Sequence, residues 1–221
     1  MAVAAGVSCA AMQVSIEPHP LLDARVFITR FNSDLESFAE RSPLRAPEPS
    51  PWPEPDAAVR STIRDVLRQA GYKPTGRAKP ASEYLTRAQG EGGLRPINFA
   101  VDVCNLVSLY SGLPISVVDL DLLKPPVAIA VAPEGANYVF NPAGQTIDVG
   151  RLICLQDREG PCANAVKDAQ RTKTSAATRA TLSVIWSSRR LQERTDLALG
   201  FYEQQLRAGG AEIEVVAISP R

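Results

Sequence analysis

Residues 94–123 read LRPINFAVDVCNLVSLYSGLPISVVDLDLL, and the organisation of the chain follows from them. Asn98 can cap a helix by accepting a backbone N–H from its first turn. Gly112 and Pro114 stop that helix after Ser111. Between them Phe99, Ala100, Val101, Val103, Leu106, Val107 and Leu109 leave few polar positions. A helix apolar nearly all round is a buried one. Yet Asn98, Asp102, Asn105 and Ser108 recur at spacings of four, three and three, which aligns them on one face. A polar stripe on a buried helix is either satisfied by neighbouring loops or turned towards a cavity. The spacing leaves both open.

Downstream of Pro114 the pattern becomes β-like. Apolar runs at 115–120, 127–132, 138–140 and 147–155 are separated by turn signals at Pro125-Pro126, Gly135, Pro142 and Gly144. Residues 157–179 are polar and rich in small side chains, and read as a long loop. Leu182–Trp186 reads as a strand, a helix is expected over 189–207, and 212–218 as a last strand. Arg189, Arg190 and Arg194 are expected on the exposed face of that helix.

Upstream, residues 14–31 suggest one or two strands around a Pro-His-Pro turn at 18–20. Residues 41–55, RSPLRAPEPSPWPEP, exclude helix and sheet interior and favour an extended connector pinned by Trp52. Asp56 can cap a helix whose Val59, Ile63, Val66, Leu67 and Ala70 form an apolar stripe ended by Gly71. YKPTGRAKP at 72–80 is a basic loop, Ser82 a candidate cap for a short helix to Gln89, and the GEGG at 90–93 a flexible turn without phosphate-loop spacing. Helices early and late, with strands clustered between, favour α+β over an alternating parallel fold. The expected division is 1–55, strands and connector packed on the domain, and 56–221, the main body, in one compact domain.

The chain has 221 residues, 24 Lys+Arg and 24 Asp+Glu, for a formal net charge of zero. That length suits one large domain or two small ones, and a chain of this size needs no disulfide or metal staple. No segment approaches the roughly 18 apolar residues of a membrane span. A wholesale basic coat for duplex DNA is excluded because the charges cancel, although a local basic patch is allowed. His19 is the single histidine, so no site with two imidazoles is available; it reads as a loop residue. Cys9, Cys104, Cys154 and Cys162 form no CxxC pair, which argues against zinc. Cys104 and Cys154 read as packed thiols, and Cys154 and Cys162 flank a turn and could bridge. This usage suits a reducing, cytoplasmic setting. The apolar start MAVAAGVSCAAMQ has no basic residues and reads as a strand or an irregular start rather than a secretion signal.

Arg95-Pro96-Ile97-Asn98, Val101-Asp102-Val103, Asn105, Gly112, Pro114 and Asp119-Leu120-Asp121 together resemble the editing domain of the phenylalanyl-tRNA synthetase beta subunit. From Tyr72 to about Trp186 the chain looks like that domain in free-standing form. The resemblance implies a three-layer α+β fold, packed β-sheets with helices on one side. It also implies an activity: hydrolysis, in trans, of the ester of a mischarged aminoacyl-tRNA by a positioned water. That chemistry needs no cofactor, because an aminoacyl ester is already activated and positioning can suffice.

Asn105 matches a position lining the editing pocket and is the expected catalytic residue. Asn98, Cys104, Ser116 and Asp168 are expected around the substrate. Cys104 stands where the synthetases commonly have threonine, and Ser116 where they have histidine, so the amino acid edited does not transfer. A catalytic Cys104 would need a base or cation that the sequence does not supply. Lys167, Arg171 and Lys173 concentrate charge in a loop and are the expected RNA contacts. The alternatives are a tRNA- or RNA-binding module without hydrolysis, or a binder of free amino acids or their derivatives. A monomer is expected.

Overall fold

The computed structural model describes residues 12–221. The expectations for Cys9 and the apolar start concern residues 1–11 and lie outside the described residues. In chain order the elements are β1 (Gln13–Ile16), β2 (Leu22–Arg30), α1 (Ala57–Arg68), α2 (Ala81–Gly90) and α3 (Phe99–Ser111). There follow β3 (Ile115–Asp119), β4 (Val127–Val131), β5 (Asn137–Val139), β6 (Thr146–Asp148), β7 (Ile153–Asp157), β8 (Gly160–Asn164) and β9 (Ala180–Ser188). The chain closes with α4 (Gln192–Ala208), β10 (Glu212–Val215) and β11 (Ala217–Pro220).

The strands build a five-stranded sheet, β11-β1-β4-β7-β8, a four-stranded sheet, β10-β2-β9-β3, and a separate β5–β6 hairpin. Alternation along the second sheet makes two cores, because successive strand residues point to opposite faces. Val26, Ile28, Val118, Leu182, Val184 and Trp186 face the first sheet and pack on Val14, Val127, Ile129 and Leu155. Phe27, Ile115, Val117 and Ile185 face the other way and pack on Phe99, Val103 and Val107 of α3 and Ala198, Tyr202 and Leu206 of α4. Sheet, sheet and helices are therefore three layers, the α+β arrangement expected.

Both ends of the chain change sheets. The turn after β1 holds His19, whose Nδ1 accepts from Leu21 N at 3.3 Å and Leu22 N at 2.9 Å. Burial lowers its pKa, which favours the neutral ring that this acceptor role requires. The single strand expected over 212–218 is two, divided at the buried Val216, because β10 pairs with β2 and β11 with β1. The strands expected in the 1–55 segment lie inside the sheets: β1 sits between β11 and β4, and β2 between β10 and β9.

Trp52 is buried edge-on against Phe201, ring centroids 5.5 Å apart, and so pins the proline-rich connector. Asp56 caps α1 through Val59 N at 2.9 Å. Gly112 follows α3 at φ 71°, and a Cβ there would stand 2.6 Å from Pro55 Cβ, so backbone sign and packing both require glycine. Ser82 lies inside α2 rather than capping it, since the helix begins at Ala81 after Pro80. Residues 157–179 are not one loop: Gly160–Asn164 forms the edge strand β8. Its Gly-Pro-Cys-Ala-Asn sequence carries little strand propensity, and pairing with β7 supplies what local preference does not. Arg194 is half-buried and donates to Ser111 O at 2.8 Å, closing the end of α3 rather than facing solvent.

Candidate functional site

β3 leaves the Gly112 turn and runs beneath α3. Its alternation sends Ile115 and Val117 towards the helices, and Ser116 between the two sheets. There Ser116 Oγ receives the indole N–H of Trp186 at 2.9 Å and lies 2.7 Å from Asp168 Oδ1 and 3.1 Å from Asn164 O. A hydroxyl has one proton and two lone pairs. With the indole bond accepted and the proton given to Asp168 or Asn164, Ser116 is an anchor rather than a nucleophile. Asn164 ends β8 and shapes the turn that follows. Its Oδ1 accepts from Val166 N at 2.8 Å and Lys167 N at 3.1 Å, and its own N–H donates to Asp168 Oδ1 at 3.3 Å.

Burial dominates the Asp168 carboxyl. It outweighs the Ser116 hydroxyl, the Asn164 and Val117 amides and the nearby Lys173 charge, and the pKa is pushed up to about 6. Both the Ser116 and Asn164 bonds fall on Oδ1, and the Val117 amide also favours the charged form. A carboxylate poised near neutrality can accept a proton or hold an ammonium group.

Three members of the α3 stripe bond to neighbouring loops. Asn98 Oδ1 accepts from Val101 N at 3.0 Å, and its amide donates to Thr174 Oγ1 at 3.0 Å, which ties the helix start to the 167–175 segment. Asp102, 1% exposed, accepts from Ile97 N through Oδ1 at 2.8 Å, Oδ2 is buried without a hydrogen-bond partner, and burial raises its pKa. Ser108 donates to Leu113 O at 2.7 Å. Asn105 differs: it is partly exposed, and among the described residues its carboxamide makes no hydrogen bond.

Cys104, 3% exposed, directs its Sγ to Ile115 O at 3.6 Å, and burial pushes its thiol pKa up. It is a packed thiol, offering neither a thiolate nor an open surface to substrate. Cys154 and Cys162 are also free and buried. Among the described residues, no group of three or more His, Cys, Asp or Glu side chains is placed to hold a metal ion.

The cations of the 167–175 segment are not brought together as one free face. Arg171 forks onto Asp157, with Nη1–Oδ2 2.8 Å and Nη2–Oδ1 2.7 Å, and also donates to Gly160 O at 2.9 Å. With both terminal nitrogens engaged and its partner's side chain 0% exposed, it braces the β7–β8 turn. Lys173 Nζ donates to Phe140 O at 2.6 Å. Lys167 stands over the Phe140 ring, 4.2 Å from its centroid, and lines a cleft of about 1380 Å³. The cleft runs between the 71–79 loop and the β5–β6 hairpin, and α3 contributes nothing to its lining. The sequence shows 72–80 only as a basic loop. Its Lys73, Arg77 and Lys79, three cations in nine residues, are a signal for an anion site, but the hairpin that makes the other wall is distant in sequence.

The B3/4 domain model matches residues 69–199. The chain belongs to the B3/4 domain family. The matched segment begins after α1 and ends within α4, so β1, β2, β10 and β11, which extend both sheets of this B3/4 domain, lie outside it. Phenylalanine–tRNA ligase beta subunits are similar over part of its length. That of Cutibacterium acnes is 32% identical over 79 residues, 35% of this chain and 9% of its own. That of Carboxydothermus hydrogenoformans is 29% identical over 133 residues, 55% of this chain and 17% of its own. The B3/4 protein thus spans less than a fifth of either relative. An N-terminal fragment of the phenylalanyl-tRNA synthetase beta subunit from Pyrococcus horikoshii shares the fold, with TM-score 0.55 and 12% identity over 95% of this chain and 52% of that one. The B3/4 protein is therefore related to the synthetase beta subunit through this domain. Among the described residues, no helix is long and apolar enough to cross a membrane.

Proposed function

We propose that this B3/4 protein is a free-standing aminoacyl-tRNA deacylase that hydrolyses the ester of mischarged tRNA with a positioned water, in the cytoplasm and as a monomer. The observation that carries the reading is Asp168, a carboxyl poised near neutrality on the packed Ser116–Trp186 anchor, in a domain whose α3 keeps the Asn105 amide unpartnered among the described residues. The aminoacyl ester is activated, so the barrier falls chiefly through orientation and through groups aimed at developing charge. Asn105 offers both a donor for the ester carbonyl and an acceptor for water or the substrate ammonium. The Asp168 carboxylate would accept the proton of the attacking water or hold that ammonium. Asn98 and Thr174 keep the start of α3 fixed against the loop that carries Asp168.

A panel of tRNAs, each charged with a non-cognate amino acid, tests this directly. The protein should speed deacylation of at least one member over buffer, and the Asn105→Ala variant should lose that gain. A protein that binds tRNA yet speeds no member of the panel would be a binding module, and the deacylase reading would be wrong.

A further inference from the structure

We infer that the cleft between the 71–79 loop and the β5–β6 hairpin is a groove for a short single-stranded RNA, whose phosphates lie on Lys73, Arg77, Lys79, Arg87 and Lys167. The inference rests on the deacylase reading for its direction, since it names the strand that would carry the ester.

Size, charge and connection support it. At about 1380 Å³ the cleft exceeds the roughly 300–1,000 Å³ of a small-ligand pocket, which leaves room for a polymer segment. In a chain whose charges cancel, this one cleft is lined by six cations and two carboxylates. One of the carboxylates, Glu134, is already paired with Arg151 at 2.6 Å. Burial, and after it the charges of Arg77 and Lys173, lowers the pKa of the Lys167 ammonium, and the like-charge part of that strain is relieved by an anion.

Tyr72, Tyr84 and Phe140 stand among the cations. A basic groove interleaved with aromatic rings is the physical form of a single-strand site, where phosphates meet ammonium and guanidinium groups and bases have rings to stack on. A concave cleft of this kind admits one backbone, whereas a duplex presents two. The groove also leads somewhere: Lys167 lines it, and the next residue, Asp168, belongs to the polar cluster at Ser116. A strand lying in the cleft would bring its end towards that carboxyl.

The test uses the full chain and a 5′-labelled eight-nucleotide single-stranded RNA, with binding read by fluorescence anisotropy from 50 to 200 mM salt. Each phosphate deprived of its cation should lower the slope of log affinity against log salt by about 0.7. Arg77→Gln with Lys79→Gln should therefore bind more weakly at low salt. Across that fourfold salt range the unaltered protein should lose about sevenfold more affinity than this variant. Arg190→Gln with Arg207→Gln, an equal loss of charge outside the cleft, should keep the full slope.

Equal slopes in both variants, stronger binding to a blunt RNA duplex of the same length, or no binding of the single strand would each overturn the inference. Its failure is separable from that of the deacylase reading. Hydrolysis of mischarged tRNA with an unchanged slope in the cleft variant would overturn the groove alone. Cleft-dependent RNA binding with no hydrolysis would overturn the deacylase and leave the groove.

Discussion

Replacing Asp168 with Asn should make the protein more stable and less active, and the gain in stability should depend on pH. Asn retains an oxygen able to accept from Ser116 Oγ and Asn164 N, so the turn after β8 keeps its bonds. What disappears is the cost of holding a charge there. The carboxyl moves from an ordinary 3.8 to about 6 on folding. Because the folded state holds this proton more tightly than the unfolded one, the native protein loses stability as pH rises from about 4 to about 6, and the loss is complete above that. At about 1.4 kcal/mol per pH unit the full cost is about 3 kcal/mol at pH 7.5, falling to roughly half near pH 5. The partial exposure of Asp168 makes this an upper figure. For a chain of this length it corresponds to a rise in Tm of up to about 6–12 °C. Urea and thermal unfolding of both proteins at pH 7.5 and pH 5 read the effect. Deacylation by the unaltered protein should climb with pH to a plateau above about 6, and the variant should lack that limb. A variant less stable at pH 7.5, or a stability gap that does not narrow at pH 5, would refute the account of Asp168 as a carboxylate held at a cost.

Asn105→Ala should lower hydrolysis of the mischarged substrate by about ten- to a thousand-fold, the range for a positioning or charge-stabilising group. Its unfolding free energy should stay within about 0.5 kcal/mol of the original, since no described partner is orphaned. Arg171→Gln should act oppositely, destabilising by about 2–4 kcal/mol in denaturant titration. The buried Asp157 carboxylate would then keep only the Lys124 and Glu159 amides. Gly209→Ala should cost about 1–3 kcal/mol through overpacking alone, because its Cβ would fall 2.0 Å from Phe99 Cζ; Phe99→Leu in the same background should recover part of the loss.

The elements whose signals are local can be read directly from the residues. The Asn98 cap, the Gly112 stop and the apolar run between them set α3, and Asp56 with its apolar stripe set α1; these choices are written within a turn or two of the residues concerned. The α+β class and the relationship to the synthetase beta subunit were also legible, because a long ordered set of matching residues survives in 94–123. Which partners those residues meet depends on how the elements pack. The polar residues Asn98, Asp102, Asn105 and Ser108 look alike in sequence, yet loops bond to Asn98, one oxygen of Asp102 and Ser108 and leave Asn105 without a described partner. Lys167, Arg171 and Lys173 look like one patch, but Asp157 takes Arg171 and the Phe140 carbonyl takes Lys173. β8 has almost no propensity of its own, and exists because β7 offers it an edge. The cation-lined cleft needs a loop at 71–79 and a hairpin at 137–148 to face one another. No local pattern encodes that meeting, because it depends on how two sheets and a helical layer pack, and packing acts between residues far apart in the chain.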